Sequence, residues 1–472
     1  MKNHRIPTFL VLASLSLGCF KPLMAEDPPT LESLQKQIKE MQQQQSAERA
    51  AQQQEIQSLK QKVGEMKSDR GELPPEKRKE HNELADFSAN YRGDGFLKAG
   101  GLKFGAYGEM LYRARQGSIS AFDPRRLVLL PSYAVNDWIN FNSEIEIEHG
   151  GAGVDFTNDG NVELEQAYID FLFNEHFNWR SLGLDLVPIG RINLYHEPTL
   201  FYSTDRPELY SEVIPSTWTE GSTSIFGKVM DGLQYQVMLS SGLEDRSAAN
   251  GINGNTGMRG ARPSTGQDFN QSNGTPAVTT RLAYQPPWIP GLDGSTSWNH
   301  SEASSAQSTF AIGGDIPVDI VDTELRYRIP KTGWELRADG ALVMIGRNGS
   351  LQANNDGDPT NNVGTHMWGS YGEVAYHFWP DAWNSGRGKG MDFVPFARYT
   401  HIDLQAGASG GTDVTASSGG NDRNYYTFGF AFFPTREIVL KMDYRIVQTS
   451  RTFGPPTGPE RHQLQLAAGF FF

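Results

Sequence analysis

The stretch that most constrains this chain is 461–472, where Leu464, Leu466, Ala468, Phe470 and Phe472 recur at every second position. An extended strand places all of them on one face, with Gln463, Gln465, Ala467 and Gly469 on the other. An apolar outer face over a small or polar inner face suits the wall of a transmembrane β-barrel. A buried edge strand of a soluble sandwich shares the alternation, but it rarely leaves Phe470-Phe471-Phe472 hanging free.

The start of the chain reads as export machinery. Lys2 and Arg5 precede an apolar run over 9–20 and then the small-residue end Leu23-Met24-Ala25, which predicts a signal peptide over 1–25 cleaved after Ala25. The run is too short for a membrane-spanning helix. Cys19 follows Gly18, but Ser16 stands where a lipidation site needs an apolar residue, so the mature chain carries no thiol. Disulfides, cysteine metal sites and cysteine nucleophiles are thereby excluded.

Residues 26–70 are expected to form a periplasmic coiled-coil segment. Leu31, Leu34, Ile38, Met41, Gln45, Arg49, Gln52, Ile56, Leu59, Val63 and Met66 follow heptad spacing, with one extra four-residue step at Gln45 to Arg49. The alternative is a solvated helical linker. Isolated helices of this kind are marginal, which favours helical partners. Residues 71–94, with Pro74-Pro75, read as a flexible linker.

The body, 95–472, carries no long apolar run, and mean hydropathy over the chain is −0.49. A barrel strand shows lipid only every second residue, so a low mean is expected. Strand character recurs at 102–114, 124–134, 138–149, 162–174, 180–191, 222–230, 233–242, 276–285, 291–299, 317–329, 333–346, 366–378, 391–403, 423–433, 436–448 and 461–472. That predicts an all-β, sixteen-stranded antiparallel barrel. Connections alternate between short ones, such as Asp231-Gly232 and Pro434-Thr435, and long polar ones, such as 192–221 and 243–275. Short periplasmic turns alternating with long external loops are the asymmetry of an outer-membrane barrel; the link 379–390 is longer than that rule.

Charge shows which face is which. In 436–448, Ile438, Leu440, Met442, Tyr444 and Ile446 oppose Val439, Lys441, Asp443 and Arg445. In 317–329, Asp322, Glu324, Arg326 and Arg328 share one face, and in 138–149 Glu144, Glu146 and Glu148 do. An Arg or Lys facing lipid at mid-membrane costs roughly 2–4 kcal/mol, so these residues are expected to line the interior. An interior with both signs of charge holds water. A two-sheet sandwich with charged outer faces is the competing fold, and the strand count and loop alternation speak against it.

The run Pro188-Ile189-Gly190-Arg191, His196-Glu197-Pro198, Arg206-Pro207, Ile214-Pro215-Ser216-Thr217-Trp218 and Glu220-Gly221 resembles the porins related to phosphate-selective porins O and P, over about 95–472. The terminal Phe470 and Phe472 likewise resemble the assembly signal of bacterial outer-membrane barrels. The resemblance implies a sixteen-stranded, trimeric anion channel, some relatives carrying an N-terminal coiled coil. The charge departs from that pattern, with 42 Lys and Arg against 55 Asp and Glu.

Segment 192–221 is the candidate constriction. Pro198, Pro207 and Pro215 stiffen it, and Phe201, Tyr202, Tyr210 and Trp218 give it something to pack. Folded inward, it would present His196, Glu197, Asp205, Arg206, Glu208, Glu212 and Glu220 to a solute. Bracing the loop against the wall is the alternative role for each. The basic residues of 317–329 and 436–448 are expected across the lumen from the acids of 138–149, giving a transverse field. His196-Glu197 is not a zinc signature, because adjacent residues on an extended chain point apart and no HExxH spacing occurs.

No nucleophile elbow, phosphate loop or catalytic pair is present, so neither an enzyme nor a cofactor is expected, and no nucleic-acid partner. The leading function is passive diffusion of ions and small hydrophilic solutes through an outer-membrane porin. The alternatives are an anion- or phosphate-selective porin, an outer-membrane hydrolase, and an anchor whose stalk reaches toward the cell wall.

Overall fold

A strand whose alternate residues are charged needs a sheet that keeps one face away from lipid. The computed structural model describes residues 97–99, 101–116, 120–150, 160–215, 217–243, 252, 254, 256–261, 276–303, 316–346, 363–406, 421–449 and 462–472. The expected signal peptide, coiled coil and linker lie outside the described residues.

The strands are β1 (Leu97–Ala99), β2 (Leu102–Arg115), β3 (Ala121–Ala134), β4 (Ile139–Glu148), β5 (Val162–Leu172), β6 (Asn178–Leu186), β7 (Thr219–Met230), β8 (Leu233–Ser241) and β9 (Pro276–Tyr284). They continue as β10 (Leu292–Ala303), β11 (Ile316–Arg328), β12 (Trp334–Ile345), β13 (His366–Tyr376), β14 (Asp392–Ala406), β15 (Asp422–Phe433), β16 (Ile438–Thr449) and β17 (His462–Phe471). Strands β2 to β17 pair antiparallel in chain order, and β17 closes the ring on β2 with Leu466 opposite Tyr112. The result is a closed sixteen-stranded barrel. Among the described residues the short β1 pairs only with the first residues of β2, Leu97 opposite Phe104, in line with the end of β17.

Connections 135–138, 173–177, 231–232, 285–291, 329–333 and 434–437 are short and all lie at one end. Link 377–391 at the same end is longer, held by two single turns, Asp381–Trp383 and Gly386–Gly388, and by a bridge from Phe378 to Phe393. The other end carries the long connections, among them 187–218 and 242–275.

Burial is inverted relative to a soluble sheet. On β16, Leu440 and Met442 are 44% and 37% exposed, whereas Lys441 and Asp443 are 4% and 0%. The apolar face therefore looks outward, toward where lipid would lie. Rings gather on that face near the short turns. Phe171 stacks on Trp179 at 4.9 Å, Trp334 meets Tyr376 at 4.8 Å and Phe470 stacks on Phe472 at 5.1 Å, an aromatic belt at one membrane boundary.

Two expected strands end differently. β6 stops at Leu186 and β7 begins at Thr219, so the Pro188-Ile189-Gly190-Arg191 run is not strand and Glu220 is. Pro188 brings no N–H to a ladder, and Gly190 turns the chain with φ 65. A side chain at Gly190 would collide with the Tyr210 ring, so this turn requires glycine.

The inner face is not uniformly polar. Toward the long-loop end, Ile316, Val318, Ile320, Val343, Ile345, Met367, Ile402 and Leu404 face inward and form one cluster with Ile189, Ile192, Phe201, Leu209, Val213, Ile214 and Trp218. Ile252, Met258 and Ala261 of connection 242–275 join it. Ordering a loop of this length costs about 1–2 kcal/mol per residue in backbone entropy. Each fully buried Leu, Val or Phe returns about 1.5–3 kcal/mol, which explains why apolar residues line this part of the lumen.

A candidate pore constriction

Segment 187–218 leaves β6, runs inside the barrel and returns to β7. Its ends are tied together: Val187 N donates to Trp218 O at 2.8 Å, Trp218 N donates to Asn193 Oδ1 at 2.7 Å, and Asn193 Nδ2 donates to Val187 O at 2.9 Å. A single helical turn, α1 (Arg191–Leu194), follows Gly190, and a π-type turn spans Leu209–Val213. Between them, Pro198 lies over Gly469 of β17, where any side chain would sit 2.7 Å from the proline ring.

The segment reaches charged residues on many strands. Arg191 N donates to Glu324 of β11 at 3.0 Å, and its guanidinium meets Asp293 of β10 at 2.7 Å. Arg337 of β12 donates to Leu200 O and lies over the Tyr202 ring at 4.2 Å. Lys441 of β16 donates to Ser203 O at 2.9 Å and lies 3.7 Å over the Phe201 ring. Arg398 of β14 donates to Ser203 Oγ at 2.7 Å, and Asp443 accepts from Thr204 N.

Asp205 is the focus of the base-rich side. Arg113 of β2 pairs with it at 2.8 Å, Arg125 of β3 at 2.5 Å and Arg445 of β16 at 3.7 Å. Burial alone would raise its pKa, but Arg125, Arg113 and Arg445 outweigh that and hold the carboxyl well below the usual range. Next to it, burial and then Arg126 and Arg125 push Arg206 down to about 10, while its guanidinium donates to Thr217 Oγ1 at 2.6 Å. Glu208 pairs with Arg445 at 3.1 Å. Glu212 pairs with Arg423 of β15 at 2.8 Å and accepts from Tyr425 at 3.1 Å; burial raises its pKa and Arg423 offsets part of the rise.

His196 lies against the adjoining stretch of wall, where β2 to β5 carry Tyr107, Arg126, Glu144 and Glu165. Its Nδ1 is 3.0 Å from Asn193 O, so that nitrogen carries the proton, and Nε2 lies 2.9 Å from the Tyr107 hydroxyl. Burial, and then Arg206, push its pKa down to about 4. Tyr107 donates to Glu144 Oε1 at 2.7 Å, and Arg126 of β3 joins Glu109 at 2.9 Å to His196 O at 2.7 Å.

The inserted segment thus gathers His196, Asp205, Arg206, Glu208 and Glu212 with Glu144, Glu324, Lys441, Asp443 and Arg445. Glu146 lies 4.0 Å from Arg126, and Glu197 is buried. Arg326 pairs with Asp293 at 2.7 Å rather than with the segment. Glu220 belongs to β7, where Trp218 Nε1 donates to it at 2.8 Å. Glu148 lies at the long-loop end of β4, and Arg328, half-buried, at the short-turn end of β11.

The expected transverse field is not what the ring produces. Of the two basic strands, β11 with Arg326 and Arg328 stands seven strands from β4 in the ring of sixteen, whereas closure of β17 on β2 brings Lys441 and Arg445 of β16 to four strands from β4, interleaved with Glu109, Asp205 and Glu208. Sequence reasoning also missed Tyr107, Glu109, Arg113, Arg125, Arg126, Glu165, Arg337 and Arg398. The alternation Glu109, Leu111, Arg113 along β2 was a usable signal for two of them.

No protein-family model matches the chain. An uncharacterized protein of Aquifex aeolicus (strain VF5) is 26% identical over 359 residues, covering 73% of this chain and 75% of that one. Among solved structures, the outer membrane channel DcaP of Acinetobacter baumannii is similar at 14% identity and TM-score 0.48, covering 80% of this chain and 100% of that one. Salmonella typhi OmpF in complex with daunomycin is similar at 11% identity and TM-score 0.49, covering 79% and 97%. An anion-selective porin from Comamonas acidovorans is similar at 12% identity and TM-score 0.47, covering 79% and 98%.

Proposed function

We propose that the chain is an outer-membrane porin, a channel for passive diffusion of ions and small hydrophilic solutes. One observation carries the reading: a closed ring of strands with apolar side chains outward, charged side chains inward, and a connection folded inside to narrow the lumen. The inserted segment 187–218 acts as the constriction, with Asp205 and Arg206 beside the permeant solute and Glu208 buried behind them against Arg445. Charges of both signs at one level make the channel weakly selective, because low-dielectric walls focus the field of each pair locally.

Anion preference is the second reading. It is favoured by the convergence of Arg113, Arg125 and Arg445 on the single carboxylate of Asp205. A homotrimer, with 26–70 as a periplasmic coiled-coil segment, completes the proposal. Single-channel recording in a planar bilayer tests it. Stepwise openings with a reversal potential near zero in a salt gradient are the expected result. No openings would remove the channel, and strong anion preference would favour the second reading.

A further inference from the structure

We propose that Glu144, Glu165 and His196 form a binding site for a divalent transition-metal ion of the zinc type, which clamps the inserted segment to the barrel wall. The three side chains come from β4, β5 and segment 187–218, and are 1%, 3% and 2% exposed. His196 Nε2 lies 3.9 Å from Glu144 Oε1 and 3.8 Å from Glu165 Oε2, and one ligand atom from each of the three residues lies within 4.8 Å of the others. A tetrahedral zinc with bonds of about 2.0–2.1 Å needs donors roughly 3.4 Å apart, so a small contraction completes the site.

Three features aim these groups at an ion. The first is a β-bulge. Glu144 pairs with Gln166 but Ile145 pairs with Leu164, so Glu165 is the extra residue. Regular alternation would send Glu165 out to lipid; the bulge buries it beside Gln166 instead. The second is that Glu165 Oε2, fully buried, accepts no hydrogen bond from an N–H group or a hydroxyl of the described residues, and its carboxyl neighbour is Glu146. A buried carboxylate oxygen in that state is costly unless something occupies the space beside it. The third is the histidine tautomer. The bond from Nδ1 to Asn193 O leaves Nε2 unprotonated, 2.9 Å from the Tyr107 hydroxyl, whose proton goes to Glu144, and 3.8 and 3.9 Å from the two carboxylates; a backbone acceptor on Nδ1 is what holds a metal-ligating imidazole in place.

The surrounding charges allow a cation. Two cations stand near, Arg126, engaged with Glu109 and His196 O, and Arg206, which donates to Thr217 Oγ1; against them are the two ligand carboxylates and Glu146 beside the site on β4. Mixed imidazole and carboxylate donors suit zinc or a neighbouring transition ion, and exclude magnesium and calcium, which prefer all-oxygen sites. Tyr107 OH, 2.9 Å from Nε2, stands where a fourth ligand or its hydrogen-bond partner would be.

The test is zinc content of the full chain in detergent, measured by elemental analysis after loading with zinc and dialysis. Wild type is expected to retain one zinc per barrel, and E165Q and H196Q to retain at least tenfold less. H300Q, which removes a partly exposed histidine paired with Asp319, reports surface binding and is expected to match wild type. Heat-modifiable gel mobility confirms that each variant is a folded barrel. Absence of retained zinc in wild type, or equal retention in folded E165Q and H196Q, overturns the site. Zinc content is read without conductance, so its failure is distinguishable from failure of the channel reading.

Discussion

Asp205 of the inserted segment accepts two hydrogen bonds from the Arg113 guanidinium of β2, at 3.0 and 2.8 Å. With Arg125 from β3 and Arg445 from β16, three basic side chains on three strands converge on one acid. D205N should therefore shift the reversal potential toward anions, because it leaves three positive charges at the constriction with one partner fewer. Removing charged hydrogen bonds of this kind costs about 1.5–3 kcal/mol, so the segment should also loosen. An unchanged reversal potential in D205N would show that the current does not pass Asp205.

The same ion pairs set a pH dependence. The folded pKa of Asp205 is depressed, so its contribution is fully present above the ordinary value of 3.8 and is lost only as pH falls through the lower folded value. Channel noise that reports unseating of the segment should stay flat on acidification down to about that ordinary value. D205N, which has no titrating group there, should be noisy throughout. Noise rising in wild type well above 3.8 would place the controlling group elsewhere.

Much of this organisation was legible in the chain. Alternation along β16 placed Lys441, Asp443 and Arg445 inward, and Pro198, Pro207 and Pro215 with their aromatic neighbours marked 192–221 as a segment built to pack. What could not be read depends on distant partners. The bulge that turns Glu165 inward is a mismatch of register between two strands, which local periodicity does not record. Ile316, Val318 and Ile320 look like ordinary strand residues until a loop is found to cover them. The place of β16 two strands from β2 follows only from closure of the ring, and that defeated the expected position of Lys441 and Arg445 across the lumen from β4.

Gly469 offers a way to unseat the segment without touching charge. A Cβ there would lie 2.7 and 2.9 Å from the Pro198 ring and 3.2 Å from Val439. G469V should push residues near Pro198 away from β17 and enlarge the unit conductance while leaving barrel mobility on gels unchanged. A wild-type step size in a folded G469V barrel would mean that this contact does not define the lumen.

The last prediction separates packing from charge within the same segment. Phe201 is 2% exposed, belongs to the apolar cluster inside the barrel and lies beneath the Lys441 ammonium at 3.7 Å. Truncating a buried phenylalanine costs about 3–5 kcal/mol, and the cation–π contact adds about 0.5–2 kcal/mol. F201A should therefore release the segment more fully than D205N, yet it removes no charge. The expected result is a larger conductance with little change in reversal potential, together with faster protease cleavage inside 187–218. F201L keeps most of the apolar burial and loses only the ring, so it should lie close to wild type in cleavage. If F201A and D205N changed conductance and selectivity in the same proportion, the segment would be acting through its position alone, and the carboxylate would carry no separate role in selecting ions.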